Sequence, residues 1–185
     1  MTEPIIRPAS PADVPQILDL IHGLAVYERE PDAVKTTEEQ LHRSFFGEHP
    51  AVFATVAEAP NSSTSGDAGG TDAAAPRLDG MALWFLSYST WEGEHGIWLE
   101  DLYVREDARG GGLGTALLTS LAQECVAKGY RRLEWSVLKW NEPSIGFYKS
   151  LGAYPMDEWD TFRLTDEPLQ ALGRQPWRAR HHVRI

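Results

Sequence analysis

The fold is decided by the sequence RGGGLGT at residues 109–115, which lies between a strand-like segment and a helical one. The strand-like segment ends at Val104, and leucines recur at helical spacing after the glycines as far as Lys128. Glycine lets the backbone approach a ligand closely, and the first N–H groups of a helix have no partner within it. This order of strand, glycine loop and helix therefore predicts an anion site that suits a phosphate.

The glycine loop lacks the sequence of the two common nucleotide-binding loops. A P-loop needs Lys-Ser or Lys-Thr directly after the glycines, and the dinucleotide fingerprint needs glycine where Thr115 stands. A kinase or a dehydrogenase is therefore disfavoured. The alternative is a glycine-rich helix entry that binds nothing, and Arg109 immediately before the glycines argues against it.

Strands and helices alternate on both sides of this loop. Strands are predicted at residues 5–6, 52–59, 80–88, 96–104, 133–138 and 161–164, and helices at 10–25, 36–46, 110–128 and 143–151. Ser10 and Asp13 resemble a capping box at the first helix start. The alternation predicts an α/β domain around one mixed central sheet flanked by helices.

Length and composition set the outer limits of the chain. Its 185 residues suit one domain, which we expect over residues 1–172, with a flexible hairpin insertion at 60–79 and a basic tail at 173–185. No apolar run approaches the roughly 18 residues of a membrane helix. The N-terminus also lacks the pattern of a secretory signal. We therefore expect a soluble, cytoplasmic protein with no membrane partner.

Charge and cysteine content restrict the ligands. The net charge of −10 would repel a phosphate backbone, so nucleic acid is disfavoured and a cationic partner is favoured. The single cysteine, Cys125, excludes an internal disulfide, and its place in an apolar helical stripe indicates a core residue. His181 and His182 are adjacent rather than one helical turn apart, so no metal site is predicted.

Two acids, Glu100 and Asp101, interrupt the otherwise apolar strand at 96–104. Neighbouring residues of a regular strand point to opposite faces, so both acids can serve one pocket only if a β-bulge redirects one of them. We predict such a bulge. The alternative is a pair of acids neutralised by arginines within the sheet.

Several of these motifs together resemble a known family. The loop at 109–115 resembles the pyrophosphate loop of the GNAT N-acetyltransferases, R/Q-x-x-G-x-G/A, between the fourth strand and the third helix. GEHP at 47–50, LED at 99–101, WNEPS at 140–144 and FYK at 147–149 resemble the spermidine/spermine (diamine) acetyltransferase subfamily in order and spacing. The resemblance covers most of residues 5–165. It implies the GNAT fold and an acetyl-CoA-dependent N-acetyltransferase that needs no metal.

The resemblance also implies which residues hold the coenzyme. The strand before the loop would pair with the pantetheine arm and polarise the thioester carbonyl, while the loop would hold the pyrophosphate. Tyr148 would be the general acid that protonates the departing thiolate. From the helical pattern alone, a core aromatic is the more natural interpretation of Tyr148. The full implied set is Leu102, Tyr103, Val104, Arg109, Gly110, Gly111, Gly112, Leu113, Gly114, Thr115, Asn141, Ser144 and Tyr148.

An amine acceptor arrives mostly protonated, and an ammonium has no lone pair with which to attack a thioester. The resemblance assigns removal of this proton to Glu100, through a water, and the binding of a second cationic centre to Asp101. Glu28 and Asp160 could equally be ordinary solvated acids. The other residues implied to line the acceptor groove are Tyr27, Glu28, Glu134, Trp135, Ser136 and Asp160.

The acceptor itself stays open at this point. Phe162 stands where the polyamine enzymes carry tryptophan, and Trp159 lies three residues earlier. The preferred acceptor is a small di- or polyamine or a lysine-like amino acid such as thialysine. The alternatives are another small amine or peptide N-terminus, or a noncatalytic CoA-binding module. Family members are commonly homodimers, so the resemblance implies a homodimer.

Overall fold

The computed structural model describes residues 4–59 and 76–176. Most of the predicted insertion at 60–79 and of the predicted basic tail at 173–185 therefore lies outside the described residues. The chain divides into two compact units, Met1–Ser136 and Val137–Ile185. The single domain expected over residues 1–172 stays a prediction.

The first unit contains five strands and three helices among its described residues. In chain order they are β1 (Ile5–Pro8), α1 (Val14–Tyr27), α2 (Glu38–Phe46), β2 (Phe53–Glu58), β3 (Leu78–Ser89), β4 (Glu94–Val104), α3 (Leu113–Lys128) and β5 (Leu133–Trp135). The strands form one sheet in the order β1-β2-β3-β4-β5. Neighbouring strands from β1 to β4 are antiparallel, and β5 is parallel to β4. The predicted mixed sheet flanked by helices is confirmed.

Alternate side chains of β3 face different helices. Met81 and Leu83 are buried with Ile17 and Leu20 of α1 in the main core. Gly80, on the opposite face, has no side chain, and a Cβ there would lie 3.3 Å from Leu117 Cδ1 of α3. The sheet is thus covered by α1 on one face and by α3 on the other.

Two termini in the first unit follow the sequence signals closely. Asp13 accepts hydrogen bonds from the N–H and hydroxyl groups of Ser10, at 2.6 and 2.8 Å, but this capping box begins a 3-10 turn at Pro11–Asp13, and α1 itself starts only at Val14. Gly129 ends α3 with a φ of 75°, as glycine after a helical pattern predicts. Cys125 is buried on α3, and burial raises the pKa of its thiol, which agrees with its predicted place in the core.

The second unit contains α4 (Glu142–Ser150) and α5 (Asp166–Gly173). The prediction of a strand at 161–164 is wrong, because these residues form no regular structure and Phe162 is 93% exposed. β5 also ends at Trp135, earlier than predicted. A strand is stable only when a neighbour satisfies its backbone groups and covers its side chains, which a local apolar pattern cannot guarantee.

The described residues contain neither a membrane-spanning helix nor a group of metal ligands. No helix in residues 4–59 and 76–176 is both long enough and apolar enough to cross a membrane. Over the same ranges, no three histidine, cysteine or acidic side chains come together as metal ligands would.

Candidate active site

The glycine loop forms an open cradle in front of α3. Gly110 and Gly112 have φ values of 83° and 85°, in the left-handed region that favours glycine. A Cβ at either position would meet nothing within 4 Å, so the loop surface is free for a ligand. No side chain caps α3, whose N-cap is Gly112. The first N–H groups of α3 are therefore available to an anion, and the cradle fits the pyrophosphate of an acyl-CoA.

The Arg109 side chain connects the loop to two tyrosines. Its Nε donates to the carbonyl of Val104, at 3.0 Å. Its guanidinium carbon lies 4.9 Å from the ring centre of Tyr27 and 5.5 Å from that of Tyr103. Tyr103 in turn packs on α1, where a Cβ added to Gly23 would lie 2.8 Å from its hydroxyl. Arg109 thus joins the predicted coenzyme loop to Tyr27, a predicted acceptor residue.

The predicted bulge in β4 is confirmed. Asp101 is opposite Leu83 and Leu99 is opposite Trp84, so Glu100 is an extra residue between two ladder pairs. Leu83 belongs to the core beneath α1, so its partner Asp101 lies on that same face. The bulge therefore allows adjacent acids to serve one side of the sheet.

Three acids come together on the α1 side of β4. Burial, and then the negative charges of Glu100 and Glu28, raises the pKa of Asp101 to about 6. Burial also raises the pKa of Glu28, the C-cap residue of α1. Among the described residues neither Glu100 nor Asp101 forms an ion pair with an arginine, which disfavours the structural alternative. The cluster is strongly anionic and suits a cationic ligand.

The sequence analysis missed one partner of this cluster. Trp98 Nε1 donates to Glu100 Oε2 at 3.0 Å, and Glu100 is exposed. The spacing of Trp98 and Glu100 could have indicated this contact, since residues two apart on a strand share a face. A tryptophan on a strand is usually a core residue, so the pattern alone did not favour the contact.

The predicted groove residues on β5 lie next to this region. Glu134 is opposite Trp98 in the parallel ladder, and its carboxylate is 3.4 Å from Arg132 Nε. Trp135 is opposite Leu99 and is half-buried, and Ser136 follows the end of the strand with its side chain exposed. Their contact with an acceptor stays a prediction.

The remaining predicted residues belong to the second unit. Asn141 is buried, and its side-chain oxygen accepts the N–H of Ser144 at 3.3 Å, capping α4. Tyr148 is half-buried on α4, with its ring centre 5.3 Å from that of Phe147. Asp160 is exposed in a segment without regular structure. The roles of these residues in binding or catalysis stay predictions.

A separate apolar groove of about 550 Å³ lies on the α3 side of the sheet. Its walls include Phe53 and Trp84, whose rings stack with centres 4.6 Å apart, and Leu121 of α3. None of the predicted site residues lines it. We therefore do not place the candidate active site in this groove.

Comparisons with known proteins show the family of the chain. The acetyltransferase (GNAT) family model matches residues 76–153, which include the bulge and the glycine loop. The chain is 39% identical to the thialysine N-epsilon-acetyltransferase of Bos taurus, over 91% of this chain and 96% of that one. It is 32% identical to an L-ornithine N5-acetyltransferase of Arabidopsis thaliana, over 91% and 87%.

Solved structures show the same fold. An integron cassette protein from V. cholerae superposes with a TM-score of 0.71 at 22% identity, covering 95% of this chain and 99% of that one. The chain therefore belongs to the GNAT acetyltransferase family. It is an N-acetyltransferase, and its curated relatives of similar length include enzymes named for thialysine and for L-ornithine.

Proposed function

We propose that this protein transfers the acetyl group of acetyl-CoA directly to a primary amine of a small cationic acceptor. The observation that carries the proposal is the cluster of Glu28, Glu100 and Asp101 on the α1 side of β4. The glycine cradle ahead of α3 belongs to the same compact unit. One unit therefore contains donors suited to an anionic coenzyme and acids suited to a cationic acceptor.

Acetyl-CoA supplies the activated acetyl group as a thioester. The residues that would hold it are the N–H groups at the start of α3 and the backbone of Leu102, Tyr103 and Val104. Binding by main-chain donors is consistent with the two left-handed glycines, which keep the cradle free of side chains. Asn141 and Ser144 would complete the coenzyme site.

The acids of the cluster would have different duties toward the acceptor. Glu100 is exposed and would accept the ammonium proton through a water, which frees the lone pair that attacks the thioester. Asp101 is half-buried and would hold a second cationic centre. A bound cation lowers the pKa of a neighbouring carboxyl group, so Asp101 would be a carboxylate in the acceptor complex.

Tyr148 is our candidate for the general acid that protonates the departing thiolate. We expect Tyr148→Phe to lower kcat by about 10²- to 10⁴-fold, because general acid catalysis typically contributes that much. Thiol release from acetyl-CoA measured across putrescine, spermidine, thialysine and lysine would test this. Tyr154→Phe is a matched control, because Tyr154 lies four residues beyond α4 and is 79% exposed.

The outcomes of this experiment separate the open alternatives. Faster thiol release with these amines, which carry a second cationic centre, than with a monoamine of similar length supports the proposed acceptor class. If CoA binds but no amine accelerates thiol release, the proposal of acetyl transfer to small amines is wrong. If Tyr148→Phe is as active as Tyr154→Phe, another group protonates the thiolate.

The choice between acceptors rests on charge. An acid cluster favours a second ammonium group, as in di- and polyamines, whereas a lysine-like amino acid carries a carboxylate beside its second ammonium. We retain both classes, because relatives are named for thialysine and for spermidine/spermine. We also propose a cytoplasmic location and, on the family resemblance, a homodimer, which sedimentation would register as twice 20.7 kDa.

A further inference from the structure

The indole of Trp98 is held in place by side chains on both neighbouring strands. On β3 its ladder partner is Phe85, with ring centres 6.4 Å apart, and on β5 its ladder partner is Glu134. Trp98 itself is half-buried, so its ring has little freedom to turn. Its N–H therefore points in a direction that the sheet determines.

The carboxylate that receives this N–H has the opposite character. Glu100 is the extra residue of the bulge, so no ladder partner in β3 orients it, and its side chain is exposed. An exposed glutamate has several rotamers, and ordering it costs conformational entropy. The hydrogen bond of 3.0 Å from Trp98 selects one of these rotamers.

We propose that Trp98 is a positioning residue, whose indole N–H holds the Glu100 carboxylate in the orientation that accepts the acceptor's proton. This inference rests on the proposed role of Glu100 in acetyl transfer. Indole N–H is only a donor, so it binds the ionised carboxylate and cannot protonate it. The indole N–H binds Oε2 of Glu100, so Oε1 would accept the proton that the acceptor gives up.

The test is a double-mutant cycle on the full chain, with acetyl-CoA and the best amine of the panel. Trp98→Phe keeps an aromatic ring and removes the donor. We expect it to lower kcat about tenfold, the size of one hydrogen bond to a charged group, with the Kd for CoA unchanged. The KM for the amine should change by less than about twofold, because the indole acts on the Glu100 carboxylate. In a Glu100→Gln background, Trp98→Phe should change kcat by less than about twofold.

Trp84→Phe is the matched control for loss of a tryptophan from the sheet. Its Nε1 donates to Thr55 Oγ1 at 3.2 Å, on the face away from Glu100. Trp84→Phe should reduce stability and leave kcat unchanged. Benzothienylalanine placed at position 98 keeps the indole shape without the N–H, and it should reproduce Trp98→Phe if that variant folds poorly.

Each other outcome overturns the inference. If Trp98→Phe lowers kcat equally in the Glu100→Gln background, Trp98 has only a structural role. If Glu100→Gln is fully active, positioning of Glu100 is irrelevant even though acetyl transfer stands. Failure of every amine to release thiol in the wild type would instead contradict the proposed function.

Discussion

Asp101 illustrates how surroundings set the chemistry of a single carboxyl group. The pKa of this group is raised to about 6, by burial first and then by the charges of Glu100 and Glu28. Each pKa unit corresponds to about 1.4 kcal/mol. An ionised Asp101 therefore destabilises the folded protein at neutral pH. A cationic ligand would offset that cost, which is a reason to retain such a group in a binding site.

This cost predicts a stabilising substitution. The folded pKa lies above the unfolded one, so the stability that protonated Asp101 contributes is fully present below about pH 4 and is lost as pH rises through about 6. Asp101→Asn removes the ionisation. We expect it to raise the free energy of unfolding at pH 7.5 by up to about 3 kcal/mol, from roughly two pKa units. Urea unfolding at pH 7.5 and pH 4 measures this. An equal gain at both values would contradict the explanation.

At the scale of one element, α3 combines packing with a proposed role in binding the coenzyme. Leu117 and Leu121 bury its inner face against the sheet. Both of its ends are left-handed glycines, Gly112 with a φ of 85° and Gly129 with a φ of 75°. Only the first of these adjoins free N–H donors, because free carbonyls lie at the other end of a helix. The two ends are therefore alike in backbone conformation and different in chemistry.

The matched ends allow stability and binding to be separated. Gly112→Ala and Gly129→Ala should each cost about 1–2 kcal/mol, the penalty of a left-handed alanine. Only Gly112→Ala should also weaken CoA binding, because it redirects the N–H groups of the cradle. Thermal unfolding and isothermal titration with CoA measure the two effects. If Gly129→Ala lost a similar amount of CoA affinity, the weaker binding would reflect the lower stability of α3 and not a direct role of the glycine loop.

For the whole molecule, charge is the dominant property. The chain carries a net charge of −10, and the acid cluster concentrates part of it at the proposed acceptor site. A field of one sign attracts small ligands of the other sign and raises their rate of encounter. In the proposed function the anionic coenzyme would be bound against this overall field, by the local dipoles at the start of α3.

Salt should therefore affect the acceptor according to its charge. The screening length falls from about 10 Å at 0.1 M to about 3 Å at 1 M salt. We expect kcat/KM for a diamine to fall several-fold over this range, more than for a monoamine of similar length. The value of kcat at saturating diamine should change little. Initial rates with both amines at fixed saturating acetyl-CoA measure the difference, and identical salt slopes would argue against electrostatic recognition.

Local features of the fold were predictable wherever a few adjacent residues determine the backbone. The left-handed glycines of the loop, the interaction of Ser10 with Asp13 and the bulge at Glu100 are examples. In each case short-range sterics or strand alternation decides the outcome. The strand predicted at 161–164 failed because an apolar pattern does not provide a neighbouring strand.

The sequence by itself determined the family, the glycine loop ahead of α3 and the acids that interrupt β4. Only the tertiary structure decided that Asp101 has the raised pKa, that Trp98 binds Glu100, and that the Arg109 side chain lies over Tyr27 and Tyr103. Backbone conformation depends mostly on near neighbours in the chain. Burial, charge and side-chain partners depend on segments that folding brings together from distant positions.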